Sequence, residues 1–413
     1  MNRACRKRPC RLRAEGPLAP YLEPYAEYLA ESGYSQVAFW RKTFLVNEFN
    51  RWLEREGVPV DEITRGHEET FLHDRAHYRL PKGGDRITLS GVTDWLRQQG
   101  LIEATTAMLD DMSDLDRIVL EYKSWLREDR GLASATIENY AGYVGRFLRE
   151  VSGGSELRLA SVRPGQITDY IRRLAPKDRT FAAAKHIVTA LRSFFRFARY
   201  RDYILIDLAA TVPSVAGWSM ASIPRAMPAD QVQTLLTASK TWRTPSGLRN
   251  RAVLLLLARL GLRAKEIIRL ELEDIDWNEG VLRVHGKGRT ERPLPLPHDV
   301  GEAIAAYLEH GRPETPCRRV FVRSRAPFDS LKAHSDICQI VARAIARAGI
   351  KPLSNGAHQL RHALAIDMLH RGASLTEIGQ VLRHSSANAT RRYAKLDLDA
   401  LREVALPWPG ALP

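Results

Sequence analysis

The segment "LRHSSANATRRYAKL", residues 382–396, places His384 nine positions before Tyr393 and puts Arg391 and Arg392 directly before the tyrosine. A tyrosine that only fills a core needs an apolar body and one partner for its hydroxyl, and Tyr393 taken alone fits that role. A nucleophilic tyrosine must lose a proton whose ordinary pKa is about 10, which a neighbouring base and positive charge assist. The segment therefore suggests a nucleophile that attacks a negatively charged group.

Upstream segments supply further groups that suit a negatively charged substrate. Arg263 lies in "LGLRAKEI" just after an apolar stretch, and Lys287 lies between two glycines in "HGKGRTER". His358 and Arg361, in "HQLRHALA", are one helical turn apart and hence on one face of a predicted helix. With His384 and Tyr393, these residues form a candidate site assembled from separate parts of the chain.

Arg263, Lys287 and His358 also have alternative interpretations outside phosphate chemistry. Arg263 can form an intrahelical ion pair with Glu266, and Lys287 can be an exposed lysine at a hairpin tip. His358 and His362 have the i, i+4 spacing of a metal-binding pair. The glutamate of an HExxH motif is absent, however, and the sequence offers no convincing third ligand.

Taken together, the candidate residues suit chemistry on a phosphodiester. Two guanidinium groups can fork its non-bridging oxygens and neutralise the charge that grows in the transition state. A lysine can protonate the departing 5′ oxygen, and a histidine can take the tyrosine proton or hold a phosphate oxygen. A phosphotyrosine link would conserve the bond energy, so we expect no cofactor and no metal.

Composition favours a polyanionic partner. The 413-residue chain carries 62 Lys and Arg against 48 Asp and Glu, a net charge of +14. Nucleic acid is the simplest such partner, with an anionic membrane surface as the alternative. No apolar run approaches the ~18 residues of a membrane span, and the basic N-terminus lacks the apolar core of a signal peptide. We therefore expect a cytoplasmic protein without membrane contact.

Helical periodicity dominates the chain. Apolar residues recur at helical spacing from Val37 to Leu53, and a second helical stretch covers roughly residues 113–212. Gly33 and Gly131 lie 98 positions apart, as do Phe49 and Phe147, which suggests that the two stretches are copies. Further on, "GVLRVHGKGRTERPLPLP" alternates around a glycine turn and predicts a hairpin or three-stranded sheet. The predicted fold is mainly α and multidomain, with a small antiparallel sheet.

The ordered motifs "GLRAKEI", "HGKGRTERPLPL", "HQLRHALA", "LRHSS" and "RRYAKL" resemble those of the tyrosine recombinase, or phage integrase, family over about residues 224–400. The resemblance assigns catalytic roles to six residues: Arg263, Lys287, His358, Arg361, His384 and the nucleophile Tyr393. Two positions depart from the family pattern. Lys265 replaces a residue that is usually small, and Arg383 replaces a usual glycine.

The resemblance also implies a domain plan. The predicted segments are a basic arm (1–17), an extra helical domain that duplicates the core-binding fold (18–105), a SAM-like core-binding domain (113–212), a linker (213–227), a catalytic domain (228–400) and a C-terminal tail (401–413). The arm either grips DNA phosphates or is merely solvated. The extra domain either lengthens the DNA footprint or contacts another subunit. The tail is expected to dock on a neighbouring protomer, with packing on its own domain as the alternative.

The expected function is site-specific recombination. The enzyme would bind inverted-repeat sites in double-stranded DNA as a homodimer, pair two sites in a homotetramer and exchange strands through 3′-phosphotyrosine links. Integration, excision or transposition of a mobile element would follow, with or without sister recombinases. A type IB topoisomerase-like enzyme and a DNA-binding accessory protein with a vestigial active site are the alternatives.

Overall fold

The computed structural model describes residues 15–102, 113–153, 159–174, 181–214, 226–286, 291–351, 356–384 and 386–396. Lys287, most of the predicted basic arm and the whole of the tail at 401–413 lie outside these ranges. The described residues are mostly helical with one small antiparallel sheet, which confirms the predicted fold class. The chain divides into two compact units, one formed by Met1–Ile102 with Ser222–Pro413 and the other by Glu103–Ala221.

The first unit begins with a four-helix N-terminal bundle. Its helices are α1 (Ala19–Glu31), α2 (Gln36–Glu56), α3 (Arg65–Ala76) and α4 (Asp85–Gln98). The Ser35 side chain accepts a hydrogen bond from the first turn of α2, and Gly57 ends that helix in the left-handed conformation, with a φ of 68°. The apolar stripe of α2 packs into a core that includes Phe49 and Leu53.

The second unit is a separate helical bundle with its own core. It consists of α5 (Asp114–Glu128), α6 (Ser134–Ser152), α7 (Pro164–Leu174), α8 (Phe181–Tyr200) and the short α9 (Leu208–Thr211). Ser113 caps α5 by accepting from the backbone of Asp116. Phe147 and Phe194 are fully buried at the centre of this bundle.

The remainder of the first unit is built around one apolar helix, α11 (Pro245–Arg259), which is buried along most of its length. The other helices of this part are α10 (Ala229–Ser239), α12 (Ala264–Arg269), α13 (His298–His310), α14 (His334–Arg347), α15 (His358–His370), α16 (Leu375–Val381) and α17 (Ala387–Thr390). Helix α11 contacts α10, α12, α13, α14 and α15, so it positions the elements that carry the candidate site.

A three-stranded antiparallel sheet lies in the same part of the chain, in the order β1 (Ile275–Asp276), β2 (Val281–His285) and β3 (Glu291–Pro295). The pairing of His285 with Glu291 is the last in the β2–β3 ladder, and Lys287 lies between these two residues in the sequence. Leu282 and Val284 face the core, while Arg283 between them is less buried, as the period-two pattern predicts.

None of the helices that the structure describes is long and apolar enough to cross a membrane.

Candidate active site

Five of the six predicted catalytic residues come together around one cavity of about 490 Å³. The sixth, Lys287, lies outside the described residues. The cavity lining includes these five predicted residues: Arg263, His358, Arg361, His384 and Tyr393. Lys265 and Arg392 add positive charge to the wall, and no described lining residue is acidic. The cavity therefore suits an anion.

Arg263 reaches the cavity because it is the N-cap of the short helix α12. The Glu266 carboxylate accepts from the Arg263 backbone at 2.8 Å and from its guanidinium at 2.6 Å. The ion pair proposed as the structural alternative therefore exists. It holds the guanidinium in place, and the Arg263 side chain still keeps 42% of its surface exposed.

Arg361 lies one turn into α15 and is buried. Its guanidinium donates to the backbone carbonyls of Gly261 and Leu382, which come from two distant parts of the chain. Burial and the positive charges of Arg263 and Arg383 lower the pKa of Arg361 to about 10. The side chain therefore stays protonated at neutral pH, and its orientation is set by backbone acceptors.

Arg383, which replaces the glycine usual in the family, keeps a glycine-like backbone with a φ of 55°. Its guanidinium is buried and donates to the Glu266 carboxylate at 3.1 Å and to the Val381 carbonyl at 2.9 Å. Its own carbonyl accepts from the Arg263 guanidinium at 3.0 Å. Arg383 thus joins the segment before His384 to the start of α12.

Glu266 is the buried carboxylate at the centre of this cluster. Burial by itself would raise the pKa of Glu266, but hydrogen bonds from Arg263 and the charge of Arg383 outweigh it and hold the pKa below its ordinary value. Glu266 therefore stays ionised and balances part of the arginine charge.

The Tyr393 side chain is packed inward, with 1% of the residue exposed. Its hydroxyl lies 2.7 Å from Nδ1 of His362, and its ring stacks almost parallel to that of His384. Burial raises the pKa of Tyr393, while Arg361 and Arg392 act in the opposite direction. The tyrosine is therefore protonated at neutral pH and needs a base to react.

His362 is the residue that the sequence reasoning missed, since it was weighed only as a metal ligand beside His358. The two rings do meet edge to face, with centroids 5.6 Å apart, but His362 turns its Nδ1 to the tyrosine. Burial, followed by the charges of His358, Arg392, Arg361 and His384, lowers the pKa of His362 to about 4. The ring is therefore neutral at pH 7. The i, i+4 spacing from His358 was a signal that His362 lies beside the candidate site. The spacing could not show its contact with Tyr393, which is 31 positions away.

The two predicted catalytic histidines are also neutral at pH 7. Burial and the surrounding arginines lower the pKa of His384 to about 4, and its Nδ1 lies 2.6 Å from the Thr390 hydroxyl. His358 opens α15, and burial together with His334 lowers its pKa. Nε2 is then the nitrogen of His384 left for a ligand.

The backbone strain at Arg383 yields a stability prediction. Arg383→Ala and Arg383→Gly both remove the contact with Glu266, but only alanine keeps the penalty of a left-handed backbone. We expect the glycine variant to be more stable than the alanine variant by about 1 kcal/mol. Urea unfolding of both variants measures this difference, and equal unfolding free energies would contradict it.

The low pKa of His362 predicts a pH dependence of stability. The unfolded chain regains the ordinary pKa of 6.5, so between about pH 6.5 and 4 it binds a proton that the folded protein does not. The neutral His362 therefore contributes to the free energy of unfolding fully above about pH 6.5, and this contribution is lost as the pH falls towards 4. In His362→Gln the free energy of unfolding should decrease less over this pH range, as measured by urea unfolding at a series of pH values. His298→Gln, at an exposed position, serves as control, and an equal flattening there would argue against the assignment.

Known protein families and individual proteins match most of this chain. Residues 225–399 match the phage integrase family, and residues 119–202 match its N-terminal SAM-like domain. The chain is 44% identical to the integrase/recombinase y4rA of Sinorhizobium fredii, over 96% of both chains. It is 30% identical to the tyrosine recombinase XerD of Mycobacterium tuberculosis, over 71% of this chain and 96% of the relative.

Solved structures show the same fold. A XerH site-specific recombinase bound to a palindromic difH substrate aligns with a TM-score of 0.56 at 19% identity, over 69% of this chain and 83% of that one. A lambda integrase dimer bound to a COC′ core site aligns with a TM-score of 0.53 at 17% identity, over 72% and 99%. The chain therefore belongs to the phage integrase family of tyrosine recombinases.

Proposed function

We propose that this enzyme is a site-specific DNA recombinase that cleaves and rejoins strands through a 3′-phosphotyrosine intermediate. The observation that carries the proposal is the Tyr393 hydroxyl, 2.7 Å from a neutral histidine, at a cavity lined by Arg263 and Arg361. A nucleophile, a base and two forked cations are the groups that phosphoryl transfer to a tyrosine requires.

In the proposed cleavage step, the Tyr393 oxygen forms a bond to phosphorus while the bond from phosphorus to the 5′ oxygen breaks. The tyrosine proton passes to Nδ1 of His362, which is free to accept it because the ring is neutral at pH 7. Lys287 is proposed to protonate the departing 5′ oxygen. Rejoining runs the same step in reverse with a 5′ hydroxyl from the partner strand, so the bond energy is conserved.

The proposed phosphate contacts follow from the side-chain N–H donors that have no acceptor within the described residues. Within the described chain, Arg263 and Arg361 each use two N–H groups on protein acceptors, which leaves three of the five on each guanidinium for a ligand. If Thr390 donates to Nδ1 of His384, the proton of that ring lies on Nε2 and can bind a phosphate oxygen. His358 would complete the set.

The partners follow from the relatives. The lambda integrase structure is a dimer bound to a core site, and the XerH structure is a post-cleavage complex with a palindromic substrate. We propose that this chain likewise binds double-stranded DNA at inverted repeats as a dimer and pairs two sites in a tetramer. Its similarity to y4rA, an integrase/recombinase by name, favours integration, excision or transposition of a mobile element over relaxation of supercoils.

A suicide substrate with a nick near the cleavage site tests the chemistry. Tyr393→Phe removes only the hydroxyl, so it should bind the DNA normally and form no covalent adduct on a denaturing gel. Tyr200→Phe, at an exposed tyrosine of α8, should form the adduct as the unaltered protein does. An adduct that persists in Tyr393→Phe would contradict the assigned nucleophile, and adducts without joining between two duplexes would favour a topoisomerase.

The role of His362 as the base predicts a changed pH profile of cleavage. His362→Gln should cleave about 10²–10⁴-fold more slowly at neutral pH. Its rate should rise with pH, because the tyrosine must then ionise without help. Single-turnover cleavage from about pH 6 to 9 measures both effects. A loss of rate with an unchanged pH profile would assign His362 a purely structural role.

A further inference from the structure

The N-terminal bundle and the second bundle share one internal plan. Helices α2 and α6 begin 98 positions apart, and α3 and α7 begin 99 apart. A short 3₁₀ helix precedes α3 at Val60–Glu62 and precedes α7 at Leu159–Ser161, again 99 positions apart. The turns between the first two helices hold glycines in the left-handed conformation, Gly33 and Gly131. The agreement covers the turn after the first helix, the second and third helices and the 3₁₀ helix between them.

Aromatic contacts in the two cores also correspond. The rings of Phe49 and Phe71 lie 5.1 Å apart, and those of Phe147 and Tyr170, at offsets of 98 and 99, lie 5.0 Å apart. The ring pairs Tyr25–Trp95 and Tyr122–Phe194, at offsets of 97 and 99, are both separated by 5.4 Å. Long-range contacts repeated at offsets of 97 to 99 positions support a duplicated fold, because unrelated helical bundles have no reason to share them.

The surfaces of the two bundles have opposite charge. Residues 15–102 contain ten Lys and Arg against fourteen Asp and Glu, whereas residues 113–214 contain seventeen against twelve. The inversion is visible at corresponding positions. Arg146 is exposed in the second bundle, and its counterpart Glu48 pairs with Arg75 and Arg79 in the first. A net negative surface opposes binding to DNA phosphates.

The N-terminal bundle has a protein contact instead. The Ser32 carbonyl accepts a hydrogen bond from the backbone of Phe328, 3.3 Å away, in the loop between residues 323 and 330. Gly33 packs so closely on the Phe328 ring that a Cβ there would lie 2.3 Å from it. Thr315 holds the loop by donating to the Phe328 carbonyl at 2.7 Å. At Gly131 a Cβ would meet no described atom within 4 Å.

We infer that the N-terminal bundle is a second copy of the SAM-like fold that binds protein instead of DNA. Through Gly33 it docks in cis on the loop 323–330 of its own catalytic domain. The duplicated turn supplies the docking surface, since glycine leaves room for an aromatic ring where any side chain would clash. The second, basic bundle then binds the DNA. The assignment of DNA binding to the second bundle rests on the proposed function, while the docking does not.

The two glycines provide a matched test of docking. Gly33→Leu and Gly131→Leu carry the same penalty of a left-handed backbone, but only the first collides with Phe328. Hydrogen exchange of the Phe328 amide in the full-length protein should accelerate about tenfold or more in Gly33→Leu and stay unchanged in Gly131→Leu. Phe328→Ala, which removes the ring without backbone strain, should increase exchange in the turn at residues 32–34. Unchanged exchange in both Gly33→Leu and Phe328→Ala would overturn the docking.

A salt titration tests which of the two bundles binds DNA. Binding to a mixed-sequence DNA duplex is measured for the unaltered protein and for two sets of four exposed basic residues changed to Gln. The first set is Arg41, Arg51, Arg65 and Lys82; the second is Arg146, Arg149, Arg163 and Arg196. Each lost phosphate contact makes the slope of log affinity against log salt less negative by about 0.9. The first set should leave the slope unchanged, and the second should make it less negative.

If the first set makes the slope less negative by about 0.9 for each changed residue, up to about 3.6 units, the N-terminal bundle binds DNA and the inference is overturned. The absence of salt-dependent binding in the unaltered protein would instead count against the proposed function, so the two failures are distinguishable.

Discussion

The candidate site depends on one buried carboxylate placed among three arginines. Glu266 pairs directly with Arg263 and Arg383, and Arg361 lies close enough for both arginines to lower its pKa. Three guanidinium groups that converge without a counter-charge would repel one another strongly in a site shielded from water. One carboxylate relieves part of this repulsion and leaves a net positive charge. The unbalanced charge faces the cavity, where a phosphate would supply the missing negative partner.

Backbone geometry makes this convergence possible. Gly261 and Arg383 both adopt left-handed conformations, and a Cβ at residue 261 would lie 2.7 Å from the Leu382 side chain. This close approach brings the carbonyls of Gly261 and Leu382 within reach of one guanidinium, that of Arg361. Of these two residues only Arg383 carries backbone strain, since glycine adopts this conformation freely. The contacts of Arg361 join the end of α11, the first turn of α15 and the segment before His384.

With the duplication that we infer for the two helical bundles, they illustrate how one fold can diverge in its surface and keep its core. Apolar contacts such as Phe49–Phe71 and Phe147–Tyr170 are kept at nearly equal distances, because close packing tolerates little change in volume or shape. Surface positions carry no such constraint, so Glu48 can stand where the other copy has Arg146. A fold and its binding partner are thus specified by different subsets of residues.

The sequence by itself determined the helices, the small sheet and the residues of the arginine and histidine motifs, because periodicity, capping residues and motif order are local properties. It also offered the pairing of Arg263 with Glu266, three residues away, as the structural alternative to a catalytic role. Only the tertiary structure decided that His362 meets Tyr393 and that Arg383 turns back to Glu266. Those contacts join segments 31 and 117 positions apart. No local pattern encodes these contacts, because they depend on how the helices pack around α11. They also depend on which polar side chains become buried and therefore need a hydrogen-bond partner.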